Sequence, residues 1–122
     1  MLIINDLTKT FYRGTSNENT ALNNINLTVN EGDFITIVGS NGAGKSTLLN
    51  SIAGVFPVEQ GKILLNDEDI TCQSEYKCAK NIGRVFQDPL SGTSPEMTIE
   101  QNLSLAISKS NNLSLKWGLT SY

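Results

Sequence analysis

Histidine is absent from this 122-residue sequence, and cysteine occurs only twice, as Cys72 and Cys78. Five residues separate the two cysteines, a spacing that is not typical of zinc ligands, and no histidine can complete a zinc site. The first residues, MLIINDLTK, lack the basic region and long apolar region of a secretory leader. We therefore expect a cytosolic chain whose cysteines are reduced and structural.

Runs of basic residues and long hydrophobic runs are absent as well. No apolar stretch approaches the length that crosses a membrane. The formal net charge of −3 and the isoelectric point near 4.8 argue against nucleic acids and anionic membrane surfaces as partners. A chain of this length can form one small domain or part of a larger one.

One glycine-rich segment, FITIVGSNGAGKSTLLNSIA at residues 34–53, carries the strongest motif. Gly39, four further residues and then Gly44-Lys45-Ser46 match the phosphate-binding pattern G-x-x-x-x-G-K-[ST]. Average residue usage gives a chance match somewhere in such a chain a probability of roughly 1% or less. The segment therefore predicts a loop that binds nucleotide phosphates.

The residues around this motif predict a strand, a tight loop and a helix. The β-branched run at 34–38 is typical of a parallel strand that is covered on both faces. A helix is expected from Lys45 to a C-terminal cap at Gly54, with its N-terminal N–H groups and dipole directed at the phosphates. Lys45 can reach the β- and γ-phosphates, and the Ser46 hydroxyl can bind Mg²⁺. Three glycines are expected to take positive φ: Gly39, Gly42 and Gly44.

The rest of the chain alternates strands, turns and short helices. Polar residues 13–20 predict a hairpin loop, a tight turn is expected at 66–68, and residues 88–96 predict a loop. A capping box at Thr98 and Gln101 predicts a helix that extends to about residue 108. A shorter helix is predicted at 74–81. The other predicted strands are 2–10, 21–30, 61–65 and 82–86, the last of which delivers Gln87 to its C-terminal end, where ligand-contacting groups of α/β sheets lie.

These segments together resemble the N-terminal half of the nucleotide-binding domain of ATP-binding cassette (ABC) proteins. The match runs from LTKTF through NEGDFITIVGSNGAGKSTLLNSIAG and GKILLNDEDI to IGRVFQDP and MTIEQNL. The fold class it implies is α/β, a P-loop NTPase core with an N-terminal antiparallel β subdomain. Residues 1–87 would hold the β subdomain and P-loop core of this partial domain, and residues 88–122 would begin the helical subdomain.

The resemblance also implies roles for individual residues toward ATP and Mg²⁺. Phe11, at the end of the first strand, would stack on adenine; Tyr12 is the neighbouring alternative, and packing of Phe11 beneath the hairpin loop is the simpler interpretation. Gln87 resembles the Q-loop glutamine, which contacts Mg²⁺ and the surroundings of the attacking water, so it is both a catalytic and a metal-binding candidate. The remaining nucleotide-binding candidates form the phosphate loop: Gly39, Ser40, Asn41, Gly42, Ala43, Gly44, Lys45, Ser46 and Thr47.

Three segments of the family pattern are missing: the LSGGQ signature, the Walker B carboxylates and the switch histidine. LSGT at 90–93 directly follows the Q-loop and lacks the second glycine and the glutamine, whereas LLNDE at 64–68 comes too soon after the P-loop. We therefore expect a domain truncated before these segments, which binds nucleotide weakly at best and does not hydrolyse it.

In the complete subunit, the resemblance implies an ABC transporter component that couples ATP binding and hydrolysis to solute transport. Its partners would be a transmembrane permease subunit and a second nucleotide-binding domain, with no nucleic acid. The protein would lie in the cytoplasm, peripheral on the inner face of the cell membrane through the permease.

Other interpretations remain open at this point. The chain can be a catalytically incomplete ATP-binding remnant or interaction module, or a soluble ABC ATPase of DNA repair or translation, against which its acidic charge counts. An unrelated P-loop GTPase needs an N/TKxD motif, but Phe11 follows Thr8-Lys9-Thr10 where aspartate is required. The lid of a small-molecule kinase normally brings several arginines, and this sequence has only Arg13 and Arg84.

Overall fold

The computed structural model describes residues 1–108, which fall into two compact units. The first unit is Met1–Ile82, and the second begins at Gly83. The predicted helical subdomain thus lies partly outside the described residues, from residue 109 onward. Within the described part of the chain, no helix combines the length and apolar character that crossing a membrane requires.

An antiparallel sheet forms the frame of the first unit. Its four strands lie in the order β2-β1-β3-β4, and each neighbouring pair is antiparallel. The predicted hairpin, the third strand and the turn after it are confirmed, with boundaries that differ by one or two residues. The strands are β1 (Leu2–Phe11), β2 (Asn19–Val29), β3 (Gln60–Leu65) and β4 (Glu68–Asp69).

Two helices pack on this sheet and complete its core. The first, α1 (Lys45–Ile52), contributes Leu48, and the short α2 (Glu75–Cys78) contributes Cys78. The two side chains join one cluster of buried strand and loop residues, Ile4, Leu7, Leu22, Ile63 and Ile70. Since α1 begins inside the predicted phosphate loop, this packing attaches the loop to the sheet. Both cysteines are free thiols, and burial raises the pKa of Cys78.

Two predicted strands are not formed. Residues 34–38 and 82–86 are extended or irregular and belong to no ladder of the described sheet. Phe34 is 95% exposed, Val38 is 88% exposed and Val85 is 97% exposed. A strand that is buried on both faces needs a neighbour on each edge and cover on each face. The described residues supply neither to these segments, so their apolar pattern alone does not produce a strand.

The second unit contains a 3₁₀ turn (Pro89–Gly92) and the helix α3 (Ile99–Ser108). The predicted capping box is present, because the Thr98 N–H donates to Gln101 Oε1 at 2.9 Å and the Gln101 N–H donates to Thr98 Oγ1 at 3.3 Å. The 3₁₀ turn lies inside the predicted loop at 88–96, where Asp88 accepts a hydrogen bond from the Leu90 N–H at 3.0 Å.

Candidate phosphate-binding site

The glycines of the phosphate loop have different roles. Gly42 and Gly44 both have a φ of 84°, in the left-handed region, as predicted. The prediction of positive φ was wrong for Gly39, which precedes the turn and is outside that region. Gly39 instead provides space, because a Cβ there would lie 3.2 Å from the Ala43 Cβ. The left-handed turn is therefore confined to the second half of the motif.

Gly44 seats the loop directly on the sheet. A Cβ at this position would lie 2.4 Å from the Ala21 carbonyl oxygen of β2, and 3.4 Å from Leu22 Cδ2. A Cβ at Gly42 would meet nothing within 4 Å. The two glycines thus have the same φ but different surroundings, and only Gly44 is needed for close approach of two backbones.

The Lys45 side chain is folded back over the loop. Its Nζ donates to the carbonyl oxygens of Gly39 at 2.8 Å and Ser40 at 2.6 Å. An ammonium has three N–H donors, so two of them hold the ends of the loop together. The Ala43 N–H donates to the Ser40 carbonyl at 3.2 Å and so forms a turn within the loop. The loop is therefore preformed, and the Lys45 ammonium places a positive charge beside the Gly39 and Ser40 carbonyls.

Helix α1 directs its N-terminus at the same place. Gly44 is the N-cap, no side chain caps the helix, and its first turn holds no acidic residue. The N–H groups of the first helical turn have no acceptor within the helix. They and the positive end of the helix dipole favour a bound anion. At the other end, Gly54 has a φ of 76° directly after the C-cap Ala53, which confirms the predicted cap.

Ser46 is the loop residue that was predicted to bind Mg²⁺. Its side chain is exposed at the start of α1. No group of three or more histidine, cysteine or acidic residues that could hold a metal occurs among residues 1–108. Magnesium is commonly held by one or two protein oxygens together with water and substrate phosphates. The donor set therefore suits a magnesium ion that arrives with a nucleotide.

Phe11 lies at the end of β1, at the same end of the β1–β2 pair as the contact with Gly44. It pairs with Asn19 of β2, two residues from the Ala21 carbonyl on which Gly44 rests. Sheet spacing and rise per residue place Phe11 on the order of 10 Å from that contact. The ring is half-buried and lies edge-to-face with Phe56, at 5.4 Å between centroids, whereas the neighbouring Tyr12 is 72% exposed.

An ion pair beside Phe11 was not predicted from the sequence. Lys9 Nζ lies 2.8 Å from Glu59 Oε1, and the Thr10 N–H donates to Glu59 Oε2 at 2.8 Å. Burial raises the pKa of Glu59, but the hydrogen bonds from Lys9 and Thr10 and the charge of Lys9 outweigh it and hold this pKa below its ordinary value. The partners are 50 positions apart in the sequence, so no local pattern could have indicated the pair.

Gln87 belongs to the second unit and is exposed. It follows the segment at 82–86 that was predicted as a strand and is not one. The residues that the structure brings together are therefore those of the phosphate loop, the start of α1 and the end of β1, all in the first unit. The roles of Gln87 and Phe11 toward a nucleotide stay predictions.

Comparison with known proteins identifies the family. A family model described as "ABC transporter" matches residues 22–120. A tyrosine transport ATP-binding protein of Clostridioides difficile is 46% identical over 116 residues, which are 95% of this chain and 46% of that protein. A thiamine import ATP-binding protein of Haemophilus influenzae is 43% identical over 88 residues, which are 72% of this chain and 39% of that protein.

The solved structures that resemble this chain are ATP-binding cassette proteins as well. A dimeric ATP-binding cassette in a post-hydrolysis state with ADP and Pi has a TM-score of 0.76 at 28% identity, covering 96% of this chain and 51% of that one. The protein cbiO1 of Clostridium perfringens has a TM-score of 0.73 at 30% identity, covering 93% of this chain and 43% of that one.

These likenesses confirm the predicted α/β fold class of the ABC ATPases. The chain spans about half the length of the tyrosine transport protein and of the dimeric cassette, and a smaller share of the thiamine import protein. The family match, the identity to named ATP-binding proteins and the preformed phosphate loop all agree. This chain belongs to the ATP-binding proteins of the ABC transporter family.

Proposed function

We propose that this chain forms the nucleotide-phosphate site of an ABC transporter subunit that couples ATP binding and hydrolysis to solute transport. The observation that carries the proposal is the geometry of Lys45. Its ammonium donates hydrogen bonds to two carbonyl oxygens of the loop, and the uncapped N-terminus of α1 begins at the same residue. A preformed cationic loop binds a polyanion at low entropic cost, since little has to be ordered on binding.

In this proposal, the triphosphate lies along the loop and the first turn of α1. The N–H groups of residues 42–47 donate to phosphate oxygens, and the Lys45 ammonium neutralises the β- and γ-phosphates. The Ser46 hydroxyl provides one oxygen ligand to the magnesium ion that accompanies ATP. Phe11 offers its ring to the adenine, and Gln87 contacts the magnesium ion and the attacking water's surroundings.

The partners and the location belong to the same proposal. Relatives are named for transport of tyrosine, thiamine and choline, which supports a small organic solute. One structural neighbour is a dimer and another is described as part of a transporter complex. We therefore propose a second ATP-binding domain and a transmembrane permease as partners, with the subunit on the cytoplasmic face of the membrane.

Hydrolysis needs more than this site. Phosphoryl transfer to water requires a carboxylate that holds Mg²⁺ and a group that orients the water. Residues 39–47 include no acidic side chain, and no metal-binding cluster occurs in the described part of the chain. We propose that the 122-residue chain by itself binds Mg-ATP without turning it over, which makes a catalytically incomplete module the second candidate function.

Calorimetric titration with Mg-ATP tests the binding proposal. Lys45→Ala should weaken binding at least about tenfold, because it removes a charge-assisted contact to phosphate. Lys77→Ala is the matched control, since it removes an exposed lysine of α2 and should leave the affinity unchanged. Equal affinities for the wild-type chain and Lys45→Ala would contradict the proposal.

Phosphate release on the same samples tests the second part. The wild-type chain should release no more phosphate from ATP than the Lys45→Ala variant. Release by the wild-type chain that Lys45→Ala abolishes would show that the described site is already a complete ATPase.

A further inference from the structure

The only charged side chain that is buried among the described residues is Lys9, which is 7% exposed. It lies near the end of β1, and its Nζ is 2.8 Å from Glu59 Oε1. A partly buried ion pair stabilises a fold less well than apolar residues of similar size would. The pair therefore calls for an explanation beyond packing.

Glu59 contacts three consecutive residues of β1. Its backbone N–H donates to the Thr8 carbonyl at 3.1 Å, one carboxylate oxygen accepts from Lys9, and the other accepts from the Thr10 N–H at 2.8 Å. Both carboxylate oxygens are thus used, one on the Lys9 side chain and the other on the Thr10 backbone, the two residues that precede Phe11. The end of β1 is therefore held in place by one residue outside the strand.

The Phe11 ring is positioned by the same segment. Lys9 Nζ lies 5.2 Å from the centroid of this ring, within the range of a cation–π interaction. Phe56, three residues before Glu59, meets the ring edge-to-face at an interplanar angle of 88°. Residues 56–59 follow α1 along the chain, so the segment that leaves the phosphate helix also fixes the aromatic ring at the end of β1.

We propose that Glu59 and Lys9 are positioning residues that hold Phe11 for stacking against the base of a bound nucleoside triphosphate. The inference rests on the proposed function of the phosphate loop. It adds that the contribution of the base to affinity depends on a charge pair which touches neither base nor phosphate. The pair provides a fixed orientation of the Phe11 ring, and a stacked base gains contact only if the ring is already oriented.

Two probes separate the base end from the phosphate end: Mg-ATP and inorganic tripolyphosphate with Mg²⁺. Glu59→Ala should weaken ATP binding about fivefold, at the low end of a base–aromatic stack, and leave the affinity for tripolyphosphate unchanged. Glu59→Gln retains an acceptor oxygen for one of the two donors, so its affinity for ATP should lie between those of the wild-type chain and Glu59→Ala. Glu96→Ala, at an exposed glutamate of the second unit, should change neither affinity.

The ATP affinity of a double variant distinguishes positioning of the Phe11 ring from a purely structural role of Glu59. Phe11→Ala should weaken ATP binding at least as much as Glu59→Ala does. In the Phe11→Ala background, Glu59→Ala should then have no further effect, because the ring it positions is gone.

The outcomes are distinct. Equal losses for ATP and tripolyphosphate in Glu59→Ala would overturn the inference and indicate a general structural role, as would unchanged affinity for both or additive effects in the double variant. If the wild-type chain binds both probes equally tightly, the base contributes nothing and the inference fails, while the phosphate site stands. If it binds neither probe, the proposed function fails and the inference with it.

Discussion

The segment at 34–38 is more apolar than strand β1, yet only β1 pairs within the described sheet. In β1, Ile4 is 1% exposed and pairs with both β2 and β3, and Leu7 is fully buried and pairs with β2. Phe34 and Val38 are 95% and 88% exposed, and their segment has no ladder partner among the described residues. The difference shows that a hydrophobic pattern indicates where a strand can form, whereas pairing decides whether it does.

The phosphate loop combines features of the paired strand and of the unpaired segment. It directly follows the unpaired segment, yet its far end is anchored by Leu48 in the core and by Gly44 on the Ala21 carbonyl. The loop is therefore preformed through what comes after it in the chain. This explains how the loop can be ordered while the segment that leads into it has no ladder partner among residues 1–108.

The largest expected effect comes from truncating the paired region. Ile63→Ala removes a side chain of β3 that is 1% exposed, and it should lower the free energy of unfolding by about 2 to 5 kcal/mol. Val38→Ala removes apolar atoms from the unpaired segment and should change this free energy by less than about 0.5 kcal/mol. Urea unfolding followed by circular dichroism measures both, and a similar loss for the two variants would show that residues 34–38 are packed after all.

The next effect separates the two left-handed glycines. Gly42→Ala should cost about 1 kcal/mol, the strain of a Cβ in this conformation. Gly44→Ala adds a clash with the Ala21 carbonyl and should cost about 3 kcal/mol and detach the loop from β2. Unfolding free energies and Mg-ATP affinities of the two variants check the order. Equal costs would mean that the loop is not seated on the sheet.

Local rules predicted the elements whose causes lie within a few residues. The capping box of Thr98 and Gln101, the left-handed Gly54 after α1 and the hairpin between β1 and β2 all depend on neighbours in sequence. The motif of the phosphate loop is local in the same sense. The capping box, the left-handed glycine and the hairpin were confirmed because the same residues that carry the signal make the contacts, whereas phosphate binding by the loop stays a prediction.

Features that depend on distant partners could not be predicted in this way. The contact of Gly44 with Ala21 and the ion pair of Lys9 with Glu59 join segments far apart in the chain. The strands expected at 34–38 and 82–86 needed neighbours that the described residues do not provide. Gly39 was assigned the wrong backbone conformation because the motif specifies which residue is small and not which one turns.

Acid should weaken the contacts of the paired strands, whereas the segment at 34–38 has no titratable side chain and should not respond. The folded-state pKa of Glu59 lies below its ordinary value of 4.5, so its ion pair stabilises the fold above that pH. This contribution is lost as the pH falls through the folded-state pKa. Asp69, whose pKa is lowered by hydrogen bonds from Thr71, acts in the same direction.

The measurement is the free energy of unfolding of wild type and Glu59→Gln between neutral pH and pH values below 4. Stability should fall with acid in both, and less steeply in Glu59→Gln, which has no carboxylate to protonate at this position. Identical slopes would mean that the Lys9 contact does not form in solution.

The smallest expected effect has the opposite sign. Ser51, on α1, is 4% exposed, and its hydroxyl has no hydrogen-bond partner among the described residues. An unpaired buried hydroxyl is unfavourable, and alanine also has the higher helix propensity. Ser51→Ala should therefore raise the free energy of unfolding by about 1 kcal/mol. Thermal and urea unfolding at neutral pH can resolve a change of this size. A destabilised variant would show that the hydroxyl has a partner whose hydrogen bond helps to hold α1 in place.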